Sequence, residues 1–322
     1  MGRPWLSVII PCRNGQRWLG AALQSIVDQK EQEIEVIFAD GSVDDVSLDI
    51  VNTFSDRLDI RAFRRTDLSW MARTNLGVEQ ARGDLICMLH VDDLWMPNKC
   101  VKLREWVSVA PDAVMHVHSC YIIDETGKRL GIWRCPLPSD GTPLPADTFL
   151  ERLLVQCFIA APTPVIRRDA YVTVGGLDNS IWMTADWDLY LKITAVGNIF
   201  CHSDPLACYR VHKSSLTARL STDIADYRNQ QETVVHRHTV KLSPASRQNI
   251  SRVAAASIEV NIALAAVYGR KFSQTSGRLR QITKAFGALM TLGPRGIYQY
   301  FVYSRIAERV MPRLRALVAG RL

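Results

Sequence analysis

Short apolar runs alternate with amphipathic stretches along the first part of the chain. Leu6–Pro11, Glu35–Ala39 and Leu85–Leu89 have the length and the apolar content of buried strands. Between them, Trp18–Gln29 and Trp70–Ala81 place apolar residues at helical spacing. Because strands that alternate with helices form βαβ units, the pattern predicts an α/β fold with a mainly parallel sheet.

Weaker predicted strands and helices follow up to about residue 218, and the composition of the chain then changes. Pro136–Pro145 is typical of an exposed loop, and beyond about residue 219 the chain becomes helical, basic and rich in alanine. We therefore predict one domain over residues 1–218 and a basic helical region over residues 219–322. Further helices are expected at 46–54, 147–158 and 187–195, and further strands at 60–63, 163–166 and 199–209.

Charge divides the chain in the same way. Residues 1–218 carry 22 Lys and Arg against 27 Asp and Glu, a balance of −5, whereas residues 219–322 carry 17 against 5, a balance of +12. This asymmetry predicts an acidic catalytic part and a basic part that meets an anionic surface.

Cysteine usage and hydropathy favour the cytoplasm. The eight cysteines form no C-x-x-C pair and several lie in apolar runs, where a reduced thiol packs as a small hydrophobe. Met1–Trp5 leads directly into a strand without a cleavage site, so no signal peptide is expected. The apolar stretch Val253–Tyr268 is interrupted by Glu259 and Asn261 and is too short to cross a bilayer.

The strongest chemical signal is an apolar run that ends in His90-Val91-Asp92-Asp93. Ligands of open α/β sheets bind beyond the carboxyl ends of the strands, and acidic groups there can hold a divalent cation against a diphosphate. The alternative is that Asp92 and Asp93 only begin the next helix, where carboxylates are favoured.

Four groups of residues resemble, in order, the motifs of the inverting family-2 glycosyltransferases, which have a GT-A fold. Each motif is weak alone, but unrelated chains rarely carry all of them in this order, here over residues 5–217. The groups are Ser7–Asn14; Ala39–Asp45; Asn75-x-Gly77 with Ala81–Asp84 and His90–Asp93; and Gly175–Asp178 with Ala185–Leu189 and Tyr209–His212.

The resemblance implies a GT-A-like, mixed, mainly parallel sheet flanked by helices, with a C-terminal helical extension. It implies transfer of a sugar, with inversion, from a nucleotide-sugar donor to a hydroxyl of a glycan or lipid-linked glycan. UDP-sugars are the favoured donors, and bacterial-type surface polysaccharide assembly is the expected setting. A divalent cation, Mn²⁺ or Mg²⁺, is the expected cofactor. No nucleic-acid partner is expected, because no motif of such a binding module is present.

The same resemblance assigns candidate residues. Asp92 aligns with the carboxylate that ligates the cation, His212 is a second candidate for the metal or a phosphate, and Asp186 aligns with the general base. Trp182 and Trp187 are possible acceptor-site residues because aromatic faces stack on sugars. Donor contacts are expected from Pro11, Arg13, Asn14, Asp40, Ser42, Arg73, His90 and Asp92.

Several of these residues also have a purely structural interpretation. Thr184 or Asp186 could serve only as the cap of the helix that follows. Asp40 stands before a glycine, where aspartate forms turns without any ligand.

Three further candidates have structural alternatives of the same kind. Arg73 could be a solvated arginine on a helix face. An isolated histidine such as His212 is often a structural residue, and Trp187 could pack in the core at the start of a helix.

The chain departs from the family's pattern at Ala39, His90 and Ala185, each of which replaces a carboxylate. A non-catalytic nucleotide-sugar or glycan-binding relative is therefore the alternative function. A nucleotidyltransferase would need a Gly-rich phosphate loop after the first strand, and Pro11–Gly15 does not provide one.

The end of the chain carries a basic amphipathic pattern, in which Pro312 is expected to kink or split the helix. Such a helix can lie on anionic lipid, which predicts peripheral contact with the cytoplasmic membrane face. The alternative is a helix whose apolar stripe packs on the catalytic domain. Apolar positions Tyr298, Val302, Ile306 and Val310 are interleaved with Arg305, Arg309, Arg313 and Arg315.

Overall fold

The computed structural model describes residues 2–137, 141–212, 214–215, 223–268 and 275–318. The chain divides into two compact units, one of Met1–Leu144 with Ile159–Arg210 and one of Pro145–Phe158 with Val211–Leu322. The predicted boundary at residue 218 lies outside the described residues. The helix near residue 150 groups with the second unit because its apolar side chains pack against the helices there.

The described residues of the first unit include one nine-stranded sheet. Its strands are β1 Leu6–Cys12, β2 Ile34–Asp40, β3 Asp59–Arg64, β4 Leu85–Met88, β5 Leu94–Trp95, β6 Met115–Ile123, β7 Arg129–Trp133, β8 Pro164–Arg167 and β9 Ile199–Arg210. Across the sheet they lie in the order β3-β2-β1-β4-β8-β6-β9-β5, with β7 beside β6.

Parallel pairing joins β3, β2, β1 and β4, and it joins β6 with β9. The remaining neighbours pair antiparallel. The predicted mixed α/β sheet with flanking helices and a helical C-terminal region is therefore confirmed. The helices, in chain order, are α1 Gln16–Val27, α2 Val46–Asn52, α3 Trp70–Gln80, α4 Lys99–Val109, α5 Ala146–Val155, α6 Arg168–Thr173, α7 Ala185–Ile193, α8 Ile224–Thr239, α9 Pro244–Tyr268, α10 Thr275–Met290, α11 Gly293–Ser304 and α12 Ile306–Val318.

The hydrophobic pattern did not predict β6, which lies inside the sheet. Its sequence places His116, His118 and Ser119 among apolar residues, and all three are buried. Polar side chains break the apolar run by which a buried strand is recognised, so the pattern gave no strand signal there.

Strand β1 is buried on both faces. Val8 and Ile10 join the core formed with Leu19 and Leu23 of α1. On the other face, a Cβ at Gly77 of α3 would lie 2.9 Å from Ile9 Cγ2, so the helix approaches this closely only because residue 77 is glycine.

The register of the sheet brings the carboxyl ends of its central strands together. Cys12 pairs with Asp40 at the ends of β1 and β2, and Leu89 N donates to Ile9 O just beyond β4. Loops that follow these three strands therefore emerge at one edge of the sheet, which is where ligands bind in open α/β folds.

The second unit is helical in its described part. Its helix α9 is long and apolar enough to cross a membrane by length and composition, and it starts earlier than the stretch at 253–268 that the sequence suggested. However, 56% of its apolar window is buried inside the protein, as in the core helix of a globular unit, so the length alone is weak evidence of a span.

The C-terminal helix differs from its prediction. The predicted helix is broken at Arg305, whose φ of 51° is left-handed, so that α11 ends at Ser304 and α12 begins at Ile306. Pro312 lies inside α12 and does not split it. Of the predicted apolar stripe, Tyr298 is exposed, whereas Val302, Ile306 and Val310 are half-buried. The side chains of Arg313 and Arg315 lie outside the described residues.

Candidate functional site

The loops after β1 and β2 are tied to each other. Asn14 N donates to Ser42 Oγ at 2.9 Å, and Ser42 N donates to Asp40 Oδ1 at 2.9 Å. The buried Asp40 also accepts from Arg64 Nε through Oδ2 at 3.1 Å. Both oxygens of Asp40 therefore stabilise the turn, and its predicted contact with a nucleobase stays a prediction. Pro11, at the end of β1, leads into this loop.

A buried cation lies directly beside this turn. A Cβ at Gly41 would lie 2.4 Å from Arg73 Cζ, so the guanidinium packs against the glycine backbone. Arg73 Nη1 donates to Leu68 O, and Arg73 Nε has no hydrogen-bond partner among the described residues. Burial, followed by the charge of the exposed Arg13, lowers the pKa of Arg73. Two neighbouring guanidinium groups form a local positive potential suited to a phosphate.

The acidic loop, His90–Asp93, follows β4 at the same edge of the sheet. Ligand atoms of His90, Asp92 and Asp93 all lie within 4.8 Å of one another. Asp93 is buried, accepts from Arg210 N through Oδ1 at 2.9 Å, and has no hydrogen-bond partner at Oδ2 within the described part of the chain. Burial and the neighbouring Asp92 raise the pKa of Asp93.

This donor set fits a divalent cation. Carboxylate oxygens with one imidazole nitrogen suit Mn²⁺ or Mg²⁺, and the Oδ2 of Asp93 is a buried acceptor that lacks a donor. The sequence names Asp93 with Asp92 as a possible cation-binding pair but assigns the metal contacts to Asp92 and His212. The ligand atoms of His90 and Asp92 lie near those of Asp93, and the predicted roles of His90 and Asp92 stay predictions.

A buried arginine holds the acidic loop in place. Arg210 Nε donates to Asp92 O at 2.8 Å, and its Nη1 donates to Asp124 O at 3.0 Å and to Glu125 O at 3.2 Å. Arg210 belongs to the Tyr-Arg-x-His group, but the sequence assigned it no role. Through these three carbonyl contacts, Arg210 ties the backbone at Asp92 to the backbone at Asp124 and Glu125.

Asp186 is the second residue of α7. Its Oδ1 accepts from Trp187 N at 2.7 Å, and the preceding Thr184 makes no side-chain capping bond. Burial raises the pKa of Asp186, while the Trp187 N–H and the charge of His90 act in the opposite direction. The acidic loop and the segment that leads into α7 are linked by contacts of Trp70.

Trp70 joins these two segments physically. Its ring lies edge-on to His90, with the ring centroids 6.1 Å apart, and its Nε1 donates to Trp182 O at 3.0 Å. Trp182 is half-buried, and Trp187 is buried, as the core-packing alternative for Trp187 requires.

Other motif residues shape the loop before α7. Asn75 Nδ2 donates to Leu177 O at 2.9 Å, and Asn75 Oδ1 accepts from Leu177 N and from Tyr171 Oη. A Cβ at Gly176, where φ is +63°, would lie 2.6 Å from Asn75 Oδ1. The Asn-x-Gly and Gly-Gly motifs therefore act together in placing the loop that carries Trp182.

His212 belongs to the second unit, in which it is buried with its Nδ1 2.8 Å from Ser214 Oγ. Its predicted role toward a metal or a phosphate stays a prediction.

A cavity of about 510 Å³ lies at the opposite edge of the sheet. Its lining includes Trp5, which precedes β1, and Asp84 and Leu85 at the start of β4. Because ligands of this fold class bind beyond the carboxyl ends of the strands, the site described above is the candidate and this cavity is not.

Comparisons with known proteins agree with this geometry. The family model "Glycosyl transferase family 2" matches residues 7–171, more than half of the chain. An uncharacterized glycosyltransferase of Nostoc sp. is 24% identical over 77% of this chain and 79% of its own length. A glycosyltransferase of Mycobacterium bovis named for PGL/p-HBAD biosynthesis is 28% identical over 64% of this chain and 72% of its own length.

Solved structures show the same fold. S. aureus TarS 1-349 in complex with UDP-GlcNAc matches with a TM-score of 0.63 and 14% identity, over 98% of this chain and 92% of that one. The mannosyltransferase PcManGT from Pyrobaculum calidifontis in complex with GDP-Man and Mn²⁺ matches with a TM-score of 0.56 and 16% identity, over 98% and 88%. The predicted GT-A architecture is thereby confirmed.

Proposed function

Because the chain belongs to glycosyl transferase family 2, we propose that it transfers one sugar, with inversion, from a nucleotide-sugar donor to a hydroxyl of a glycan or lipid-linked glycan. The observation that carries the proposal is the contact of Trp70 with both His90 and Trp182. This contact supports the proposal because it links the candidate cation site to the loop that leads to the half-buried Asp186. Sugar transfer in this proposal uses a cation site and a carboxylate base.

Asp186 acts as the general base in this proposal. Its carboxylate accepts the proton of the acceptor hydroxyl while the oxygen attacks the anomeric carbon. The bond between that carbon and the diphosphate oxygen breaks on the opposite face, so one displacement inverts the configuration. Oδ1 already accepts from Trp187 N, which orients the carboxylate.

The leaving diphosphate gains negative charge, and the chain offers cationic groups for it. Arg73 and Arg13 are the proposed contacts of the diphosphate, because a bound phosphate would relieve the repulsion between these two guanidinium groups. Asp92, Asp93 and His90 would hold a divalent cation, which when bound supplies Lewis-acid stabilisation of that charge.

A UDP-sugar is the favoured donor in this proposal. One neighbouring structure contains UDP-GlcNAc, another UDP and a third GDP-Man, all nucleotide-based ligands. A relative named for PGL/p-HBAD biosynthesis supports a biosynthetic role, which we propose to be surface polysaccharide assembly. Work at the cytoplasmic membrane face on a lipid-linked acceptor is part of the same proposal.

The alternative is a binding protein that has lost catalysis. Ala39, His90 and Ala185 motivate it, since each replaces a carboxylate of the family's pattern. Against it, Asp92, Asp93 and Asp186 remain as carboxylates in one region of the structure.

A donor panel tests the proposal. The full chain is incubated with UDP-, GDP- and dTDP-sugars and Mn²⁺, and release of the nucleoside diphosphate is measured with and without glycan acceptors. Asp186→Asn is expected to slow transfer by about 10²- to 10⁴-fold while calorimetric donor binding persists. Asp169→Asn, an exposed carboxylate beside Arg167, is the matched control.

Two outcomes oppose the proposal. Near-normal turnover by Asp186→Asn contradicts the assignment of the base. Donor binding by the wild-type chain without hydrolysis or transfer of any donor supports the non-catalytic alternative.

A further inference from the structure

Helix α10 exposes an apolar face. This face consists of Leu279, Ile282, Phe286 and Met290, which recur every three or four residues and therefore lie on one side of the helix. Leu279 is 63% exposed and Phe286 is 65% exposed. Single exposed apolar residues need no explanation, but a contiguous row of them marks an interaction surface.

The next helix, α11, also exposes large apolar side chains. In α11, Tyr298 is 72% exposed and Phe301 is 53% exposed. Two helices in succession thus present large side chains, aromatic ones among them, to solvent.

The charge of this segment identifies the partner. Residues 275–304 contain Arg278, Arg280, Lys284 and Arg295 and no Asp or Glu. Arg280, Lys284 and Arg295 are exposed. The charged side chains of this segment itself are therefore all cationic, and Glu259 of α9, which interacts with Lys284, is paired with Arg228. Exposed apolar side chains together with cations suit the surface of a bilayer, where hydrocarbon lies beneath anionic headgroups.

We infer that the apolar face of α10 binds the surface of a bilayer that contains anionic lipids. The helix lies in the plane of the interface, with Leu279 and Phe286 inserted and Arg280 and Lys284 at the headgroups. A second copy of the chain fits this face poorly, because two such segments would bring eight cations together without any carboxylate of their own.

This inference rests on the membrane location in the proposed function. The membrane-binding surface that it identifies differs from the one that the sequence predicted. The sequence pointed to the stripe of Val302, Ile306 and Val310, which is half-buried in the structure. The sequence pattern alone does not distinguish the apolar face of α10 from an ordinary buried face, because exposure depends on how the helices pack.

Vesicle flotation of the full chain tests the inference. Vesicles are made of phosphatidylcholine alone or of about two parts phosphatidylcholine to one part phosphatidylglycerol. The wild-type chain is expected to float with the anionic vesicles, and less so as salt rises, because screening weakens the contact. The double variant Leu279→Ser/Phe286→Ser is expected to lose at least about tenfold in vesicle affinity.

Matched variants separate the contributions. Arg280→Gln/Lys284→Gln is expected to bind anionic vesicles about as weakly as it binds neutral ones. Val109→Ser/Val172→Ser removes two exposed apolar residues of the first unit and is expected to bind like the wild type. Circular dichroism and thermal unfolding check that each variant is folded.

Several results would overturn the inference. They are wild-type chain that fails to float with anionic vesicles, equal binding by Leu279→Ser/Phe286→Ser, or self-association in sedimentation that this double variant abolishes. Transfer to a soluble acceptor without vesicles is measured in parallel. Loss of flotation with normal transfer contradicts only the lipid surface, and loss of transfer with normal flotation contradicts only the proposed chemistry.

Discussion

The indole of Trp70 lies edge-on to the imidazole of His90, with ring centroids 6.1 Å apart and ring planes at 75°. The same indole donates its Nε1 proton to Trp182 O at 3.0 Å. One side chain of α3 therefore contacts both the acidic loop after β4 and the loop that leads to Asp186. Because 92 positions of sequence separate His90 from Trp182, helix α3 links two loops that are distant along the chain.

Replacing Trp70 with alanine removes both contacts. We expect kcat to fall by about tenfold to a hundredfold, because an error of about 1 Å between base and donor has that effect on rate. The donor Kd should change much less, since Trp70 contacts neither Arg73 nor Asp92 through a hydrogen bond among the described residues. Steady-state kinetics and calorimetry measure the two quantities.

A conservative variant and a distant one serve as controls for Trp70. Trp70→Phe keeps the edge contact with His90 and should retain most activity. Trp106→Phe alters a ring that stacks on His202 and should leave kcat unchanged. Equal losses of kcat and donor affinity in Trp70→Ala would argue for a general structural role instead.

The rate of transfer should depend on pH through Asp186. Burial raises the pKa of this carboxyl, and the base works only when it is deprotonated. As pH falls through that raised pKa, the rate should drop by about tenfold per pH unit, beginning above the ordinary carboxyl pKa of about 3.9. A pH–rate profile of kcat measures this limb, and a limb at or below the ordinary value would contradict the assignment.

Asp186→Asn should make the fold more stable at neutral pH. The raised pKa means that the folded state disfavours the charged form more than the unfolded state does. Below the ordinary carboxyl pKa both states are neutral, so the variant and the wild type should have similar stability. As pH rises from there through the raised pKa, the wild type loses stability and the amide does not.

Thermal unfolding from pH 4 to pH 8 checks this expectation for Asp186→Asn. The difference in Tm between the variant and the wild type should grow with pH. A constant difference would show that burial of the charge is not its cause.

Chelation should remove activity, and Mn²⁺ should restore it. Asp92→Asn is expected to raise the Mn²⁺ concentration needed for half-maximal transfer by at least about tenfold, because an amide is a weaker ligand than a carboxylate. The exposed Asp56→Asn is the control. Full activity in excess EDTA would show that the acidic loop works without a cation.

Glu35 should matter for stability and not for chemistry. Its buried carboxylate accepts from Ser7 Oγ and Arg82 N at 2.6 Å each, and it pairs with Arg61 and with Arg82 Nε. Glu35→Ala removes the acceptor of Ser7 Oγ and Arg82 N, whereas Arg61 still donates to Gln80 O and Arg82 to Asp59. The variant should lower the free energy of unfolding by about 2–3 kcal/mol.

Urea unfolding measures the effect at Glu35. The exposed Glu33→Ala should change the free energy of unfolding by less than about 0.5 kcal/mol. A loss of donor affinity in folded Glu35→Ala would contradict the purely structural role.

Local pattern was sufficient for much of the sheet. The predicted strand Leu6–Pro11 is observed as Leu6–Cys12, and the predicted helix Trp70–Ala81 as Trp70–Gln80. These predictions succeed because the spacing of apolar residues shows which face of an element is buried. Strand β6 was missed where His116 and His118 replace apolar residues. Periodicity cannot reveal a strand whose polar side chains find partners inside the fold.

Motif resemblance assigns roles to single residues but not the contacts that hold them. The nucleobase contact of Asp40 stays a prediction, and the structure adds that its two oxygens accept from Ser42 N and Arg64. Arg210 had no assigned role, and the structure places its guanidinium on three carbonyls around the acidic loop. Contacts between residues distant in sequence, such as Asp92 with Arg210, leave no local signal.

The α/β class, the order of the motifs and the basic character of the C-terminal region follow from composition and short-range spacing, so they can be inferred without coordinates. The link between the acidic loop and the loop before Asp186, the proximity of Asp93 to His90 and Asp92, and the exposure of the apolar face of α10 appear only in the folded chain. Proximity and exposure depend on which faces the packed elements bury, and no short stretch of sequence specifies that packing.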